Sequence, residues 1–138
     1  MSGVVPSYEH GPITYEVNVA VTGGQLVEPD AATGRIKPAT ALSKKCLGVA
    51  MKDAIPTTTN QNATQLTTAP VPAYVAVDHM RVFKLTAVGA IAFGDQVVCG
   101  AAGTVSTVGA NTFDTVIGRC VEPLGIANGA KGLIRLSV

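Results

Sequence analysis

Apolar and polar residues alternate along much of the chain, and this pattern predicts short β-strands. Between residues 15 and 21 the apolar side chains of Tyr15, Val17, Val19 and Val21 fall on one face. Residues 74–77, 82–87 and 132–138 also favour strands, and in the second segment Phe83, Leu85 and Ala87 share a face. A period of two is typical of a half-buried strand. Residues 39–45, after Pro38, are the best candidate for a helical turn, because proline fits the first helical position.

A sequence motif of short predicted strands separated by glycines occurs twice along the chain. The early copy contains Gly24-Gln25-Leu26-Val27, Gly34-Arg35-Ile36 and Leu47-Gly48-Val49-Ala50, and the late copy contains Gly94-Asp95-Gln96-Val97-Val98, Gly103-Thr104-Val105 and Val116-Ile117-Gly118-Arg119-Cys120-Val121. The first and last glycines are 24 positions apart in each copy (48 − 24 and 118 − 94). This spacing indicates an internal duplication. The alternative is the chance self-similarity of a glycine- and valine-rich β-protein, because two copies do not establish a repeat array.

These elements predict an all-β fold with one domain. Residues 15–138 are expected to form a small barrel-like or tulip-like β-domain, since many short strands with regular turn signals are typical of barrels and sandwiches. Residues 1–14 are short of core residues and are interpreted as an extended N-terminal arm. Residues 52–72 form a long loop rich in threonine and proline within the domain, of a length typical of functional or mobile loops.

Composition narrows the classes of partner. Charged residues make up 14% of the chain and the formal net charge is +1. Nucleic acids and anionic lipids require clustered lysine and arginine, so neither partner is expected. No apolar run reaches the length of a membrane span, and residues 1–6 lack the pattern of a secretory signal, which predicts synthesis in the cytoplasm. A surface with so little charge favours contact with another protein.

The sequence predicts no catalytic, cofactor-binding or metal-binding site. His10 and His79 stand apart from any nucleophile or ligand motif. Cys46, Cys99 and Cys120 form no Cys-x-x-Cys pair and are expected to be buried free thiols whose pKa is raised by apolar surroundings. We therefore expect a protein that is not an enzyme.

One local motif supports an alternative function. Ala50-Met51-Lys52 resembles part of the Ala-Met-Lys-Met tetrapeptide of biotinyl carrier domains, which are also small β-structures built from two similar halves. That resemblance implies a biotinyl- or lipoyl-like carrier domain modified at Lys52. Asp53 replaces the second methionine and a long loop follows, so the motif is incomplete.

The chain as a whole resembles the capsid decoration (cement, head-stabilising) proteins of tailed bacteriophages. The resemblance lies in Ala92-Phe93-Gly94-Asp95-Gln96-Val97, in residues 103–105, 116–122 and 132–136, and in Gly23–Val27 and Cys46–Ala50 of the first half. It implies a β-rich structural protein of the virion, made in the host cytoplasm and attached to the outer capsid surface. Such proteins commonly bind the major capsid protein as homotrimers, bridge capsomers and stabilise the expanded shell. The arm is expected to make the capsid contact through Val4, Val5, Tyr8, His10 and Ile13.

Overall fold

Two five-stranded antiparallel sheets make up the fold in a computed structural model that describes residues 11–57, 71–110 and 113–138. The first sheet contains β1 (Ile13–Glu16), β2 (Leu26–Pro29), β3 (Ile36–Pro38), β4 (Gly48–Ala50) and β5 (Tyr74–Asp78) in the order β1-β5-β4-β2-β3. The second contains β6 (Val82–Thr86), β7 (Gln96–Cys99), β8 (Val105–Thr107), β9 (Val116–Cys120) and β10 (Lys131–Leu136) in the order β6-β10-β9-β7-β8. Short 3₁₀ turns occupy Ala101–Gly103 and Phe113–Thr115. The prediction of a mainly β fold is confirmed.

The two sheets have the same topology, because adding five to each strand number of the first gives the order of the second. Residues 13–78, the first half, and residues 82–136, the second half, also agree in register. Val27 pairs with Gly48 in one half, and Val97 pairs with Gly118 in the other. Isolated bridges match too: Val17–Ile36 and Val21–Ala54 correspond to Ala87–Val105 and Ile91–Ile126. The duplication indicated by the glycine spacing is therefore present in the backbone.

The expected closed barrel is not formed. In the first half the edge strands β1 and β3 approach each other after β1 ends, but in the described residues the ladder between them is limited to one isolated parallel bridge, between Val17 and Ile36. In the second half the bridge between Ala87 and Val105 plays the same part. Three- to five-residue strands leave too little length for a continuous ladder at this seam. Each half is a curled sheet that stays open.

In each half a glycine lies where the backbones of the fourth and fifth strands come closest together. A Cβ on Gly48 would overlap the carbonyl oxygen of Asp78, and a Cβ on Gly118 would overlap that of Arg135. Both residues lie at the same point of the ladder, where the fourth strand of the half pairs with the fifth. Only a residue without a side chain fits there. This close approach explains why the last glycine of each copy of the repeated motif, Gly48 or Gly118, is a glycine.

Two apolar clusters fill the interior. The first-half cluster consists of buried residues from that half alone: Val17, Val21, Val27, Ile36, Ala50, Ala54, Val75 and Val77. The second cluster contains the corresponding side chains of the second half, among them Ala87, Ile91, Val97, Val105, Cys120, Ile126 and Ile134. It also includes three buried residues from the first half, namely Leu26, Ala39 and Val49. The second core therefore extends across the boundary and joins the two halves.

Local details depart from the sequence pattern in three places. The strand predicted over residues 15–21 ends at Glu16, and Val19 is 47% exposed although Val17 and Val21 are buried. Residues 39–45 form a turn in place of the predicted helical turn, because Leu42 has a left-handed backbone with φ of 59°. The connection between the fourth and fifth strands is 23 residues long in the first half (51–73) and 10 in the second (121–130). In the described part of the chain no helix is long and apolar enough to cross a bilayer.

Candidate contact surfaces

The outer face of the first sheet is the surface on which the second half packs. Leu26, Val49 and Asp78 lie side by side on β2, β4 and β5, and all three are buried. We call these three residues the junction row. The turn at Gly103 contacts one end of this row: a Cβ there would lie 2.6 Å from the carbonyl oxygen of Leu26. The Gly103 amide donates to the carbonyl of Ala39 over 2.9 Å, which ties the two halves together.

The same face of the second sheet is open. Gln96, Arg119 and Arg135 take the positions that correspond to Leu26, Val49 and Asp78, and we call them the open row. Both arginines are exposed. The row borders a groove of about 340 Å³ whose further lining residues are Val116, Gly118, Leu136 and Ser137. Neither guanidinium forms an ion pair with a carboxylate of residues 11–57, 71–110 or 113–138.

A buried carboxylate lies beside the junction row. Glu28 is 6% exposed and its carboxylate accepts a hydrogen bond from Oγ1 of Thr40 at 3.2 Å, while Nζ of Lys37 lies 3.6 Å away. Burial alone would raise the pKa of Glu28, but hydrogen bonds from Ser43 and Thr40 and the charge of Lys37 outweigh it, so the pKa is lowered. The ionised carboxylate therefore holds the segment from Thr40 to Ser43 against β2.

Two cysteines meet at the junction between the halves. All three cysteines are free thiols, and Cys99 and Cys120 are buried as expected, whereas Cys46 is partly exposed. A hydrogen bond between the thiols of Cys46 and Cys99, together with burial, raises the pKa of Cys99. The same hydrogen bond lowers the pKa of Cys46, contrary to the expectation from its apolar neighbours. The difference arises because one thiol donates and the other accepts.

Exposed apolar side chains gather at one end of the second half. Phe93 is 64% exposed and Leu124 is 99% exposed. Their turns are adjacent, because a Cβ on Gly125 would lie 2.7 Å from the carbonyl oxygen of Ile91 and 3.4 Å from the Cα of Ala92. Large apolar side chains grouped in this way are typical of protein contact surfaces.

The structure places few of the predicted contact residues. Ile13 begins β1, is partly buried and pairs with Val77 in the sheet. The other four, Val4, Val5, Tyr8 and His10, lie outside the described residues, as does most of the threonine- and proline-rich loop. His79 is near the surface and its backbone amide donates to the Asp78 carboxylate over 3.0 Å. Among the described side chains no group of three or more His, Cys, Asp or Glu could hold a metal ion.

Lys52, the residue on which the carrier alternative depends, is exposed in the connection after β4. Carrier domains present their lysine on a tight hairpin, whereas 23 residues separate β4 from β5 here. The neighbouring Asp53 accepts a hydrogen bond from the Gly23 amide over 2.8 Å, so the residue that breaks the carrier motif fastens this loop to the turn at Gly23. The geometry gives the carrier interpretation no support.

The open row and the Phe93–Leu124 pair were missed by sequence reasoning. The alternation of β9 and β10 shows only that Arg119 and Arg135 face away from the core. A comparison of the two copies of the repeated motif could have predicted the open row. Positions 26 and 49 are apolar in the first copy, while the matching positions 96 and 119 are glutamine and arginine in the second.

Comparisons with known proteins identify the fold. No protein-family model matches the sequence, and no curated protein matches it. The structure is similar to the crystal structure of the head fiber gp8.5 N base of bacteriophage phi29, with a TM-score of 0.65 and 19% sequence identity. The match covers 91% of this chain and 92% of that chain. At this identity the similarity shows that the two chains share an all-β fold over almost their whole lengths.

Proposed function

We propose that this protein is a structural protein of a tailed-phage virion that binds the outer surface of the head. The observation that supports the proposal most strongly is the fold shared with a phi29 head fiber base, which extends over nine-tenths of both chains. The sequence resemblance to phage decoration proteins points to the same kind of particle. The proposed role is contact with other proteins and requires no catalysis.

In the proposed mechanism the protein stabilises the expanded shell by mass action. A protein that binds only the expanded state lowers the free energy of that state by the free energy of binding. We further propose that it binds the major capsid protein as a homotrimer and bridges neighbouring capsomers. A trimer that touches several capsid subunits at once gains from effective concentration, so each individual contact can be weak.

Two surfaces are candidates for the capsid contact. The first is the N-terminal arm with Val4, Val5, Tyr8, His10 and Ile13, which would add a strand to the shell or lie in a groove on it. The second is the exposed pair of Phe93 and Leu124. Aromatic and aliphatic anchors at the centre of an interface carry much of its binding free energy, so loss of the correct anchor should abolish binding.

Cosedimentation tests the proposal. Purified protein is mixed with expanded heads that lack it, prepared from the phage whose genome encodes it, and with unexpanded proheads. We expect saturable pelleting with expanded heads only. Deletion of residues 1–12 and the double substitution Phe93→Ser with Leu124→Ser then show which surface makes the contact.

The matched control is Val88→Ser, since Val88 is also an exposed apolar residue of the second half (50%) and lies outside both candidate surfaces. It should pellet like the unsubstituted protein. An absence of pelleting with either particle at about 10 µM protein would overturn the proposed head binding. Equal pelleting with both particles would overturn selective stabilisation of the expanded shell.

A further inference from the structure

Two of the three thiols of the chain are in direct contact across the junction between the halves. Cys46 belongs to the first half, two residues before β4, and Cys99 is the last residue of β7 in the second half. A hydrogen bond joins their side chains, and Cys46 packs against the apolar cluster that contains Cys99. Both thiols are free in this structure. A disulfide can form without movement of the backbone only where two cysteines are held this close together.

Backbone hydrogen bonds hold both cysteines in place. The amide of Leu47, next to Cys46, donates to the carbonyl of Val27 over 2.9 Å. The amide of Leu42, four residues before Cys46, donates to the carbonyl of Cys99 over 2.8 Å and joins the two segments directly. The approach of the two thiols therefore follows from the backbone of the junction.

The two thiols differ in accessibility and in pKa. Cys46 is partly exposed, and its pKa is lowered, chiefly by the hydrogen bond from Cys99 and further by one from the Gly48 amide. Burial and the charge of Glu28 oppose this shift without cancelling it. Cys99 is buried, and its pKa is raised, chiefly by its hydrogen bond to Cys46. Because the thiolate is the form that attacks an oxidant, Cys46 is the more reactive of the two.

We propose that Cys46 and Cys99 are a site of oxidation by peroxides, at which an intramolecular disulfide forms and ties the first half to the second. The Cys46 thiolate attacks one oxygen of hydrogen peroxide, the O–O bond breaks, and the products are a sulfenic acid and hydroxide. The sulfur of Cys99 then attacks the sulfenic sulfur, the S–O bond breaks, and the hydroxyl group leaves as water with the proton of Cys99. Hydroxide takes up the proton that Cys46 released, so two thiols and one peroxide give one disulfide and two waters. The reaction concerns this chain alone and does not depend on head binding.

Cys120 is kept out of this chemistry by its place in the sheet. Its backbone amide donates to the carbonyl of Asp95 over 2.9 Å. Asp95 precedes Cys99 by four residues of extended chain, which span about 13 Å. Cysteines joined by a disulfide have Cα atoms less than about 7 Å apart, so a bond between Cys120 and Cys99 would require the sheet to open. Cys120 therefore serves as an internal control.

The first test is the intact mass of the purified, reduced protein after treatment with hydrogen peroxide under native conditions. We expect a loss of about 2 Da, the mass of two hydrogen atoms, and a fall from three free thiols to one per chain. Trypsin places the three cysteines in the separate peptides 46–52, 85–119 and 120–131, and without reductant the first two should be linked. A gain of oxygen mass without this link, a link to peptide 120–131, or disulfides only between chains would overturn the proposal.

Substitutions separate the roles of the two thiols, with circular dichroism to confirm that each variant is folded before oxidation. Cys46→Ala should abolish both the disulfide and labelling by dimedone, a reagent for sulfenic acids. Cys99→Ala leaves Cys46 without its partner, so dimedone should label peptide 46–52. Cys120→Ala removes a buried cysteine outside the pair and should form the disulfide like the unsubstituted chain. Dimedone labelling of Cys99 or Cys120 in place of Cys46 would overturn the assignment of the attacking thiol.

The disulfide should also stabilise the junction. A bond between residues 46 and 99 closes a loop of 53 residues (99 − 46), which limits the conformations of the unfolded chain. We expect the melting temperature to rise by about 10 °C on oxidation and to return to its original value after treatment with dithiothreitol. An unchanged or lower melting temperature of the crosslinked protein would overturn this stabilisation.

Discussion

The two halves share one backbone plan but have opposite outer faces. In the first half the row on β2, β4 and β5 is Leu26, Val49 and Asp78, which is buried. In the second half the matching row is Gln96, Arg119 and Arg135, which borders open solvent. The inner faces differ far less, since both are filled with small and medium apolar side chains. The strand order is therefore set by the inner face and the glycines, while the outer face determines what each half can bind.

Because the halves share their inner faces and differ in their outer faces, substitutions at matched positions should differ in their effect on stability. Changes at Gly48 and Gly118, where paired strands approach most closely, should destabilise either half. Changes in the outer rows should be costly in the first half and nearly neutral in the second.

The largest effect is expected at Gly48 and Gly118. Alanine at either position would force its Cβ into a backbone carbonyl oxygen, which cannot move without breaking the ladder. We expect Gly48→Ala and Gly118→Ala each to lower the free energy of unfolding by about 4 kcal/mol or to prevent folding. The measurement is denaturant unfolding followed by circular dichroism.

Gly109→Ala is the control for this pair. Its backbone is left-handed with φ of 55°, but a Cβ would meet nothing within 4 Å. The expected cost is about 1 kcal/mol, from the left-handed conformation alone. If the three variants were equally stable, close approach would not be the reason for glycine at 48 and 118.

The next effect separates the outer rows. Leu26→Ala removes a fully buried side chain that joins the first sheet to the second core, and it should cost about 3 kcal/mol. Gln96→Ala changes the matching position on the open row and should alter stability by less than about 0.5 kcal/mol. Thermal and denaturant unfolding of the two variants measure the difference. Equal costs would mean that the open row is covered in the isolated chain.

Sequence reasoning predicted the backbone of each half well because its signals are local. Alternation predicted the strand type, and the 24-residue glycine spacing predicted the duplication. Both glycines at the start of this spacing, Gly24 and Gly94, have left-handed backbones, and both at its end, Gly48 and Gly118, lie too close to a carbonyl oxygen of their own half to carry a Cβ. Closure into a barrel could not be judged in this way. It depends on how far β1 runs beside β3, and β1 ends at Glu16, while Val19 further along is exposed.

The burial of the outer faces could not be predicted from the sequence pattern, for a different reason. Whether an outward residue such as Val49 or Arg119 is covered depends on how the halves pack, which alternation within a strand does not encode. The partly exposed Cys46 and the buried Glu28 show the same limit, because each is determined by a partner from another segment. The predicted contact residues of the arm, apart from Ile13, lie outside the described part of the chain and remain predictions.

A smaller effect is expected at the turn of the second half that contacts the first half. Gly103→Ala would bring a Cβ to 2.6 Å from the carbonyl oxygen of Leu26, in addition to the strain of a left-handed backbone. We expect it to cost about 2–3 kcal/mol, whereas Gly34→Ala should cost about 1 kcal/mol from strain alone. Denaturant unfolding of the purified variants measures both costs. Equal costs would show that the turn at Gly34 is packed as tightly as its counterpart.

The smallest effect concerns Glu28, whose counterpart in the second half is the buried Val98. The pKa of Glu28 is lowered in the folded chain, so the carboxylate contributes stability above the pKa of the unfolded chain and loses it as the pH falls through the folded value. Glu28→Gln should therefore cost about 1 kcal/mol at pH 7 and progressively less below pH 4.5.

Glu16→Gln is the control for that measurement, because it removes one negative charge from a carboxylate at the sheet edge that pairs with Arg35. The relevant quantity is the difference in free energy of unfolding between Glu28→Gln and the unsubstituted protein, followed from pH 7 to pH 3. A difference that stayed constant would mean that the cost of the substitution does not come from loss of the ionised carboxylate. A shrinking difference would show that the first half uses an ionised side chain, where the second uses valine, to hold its third connection against the sheet.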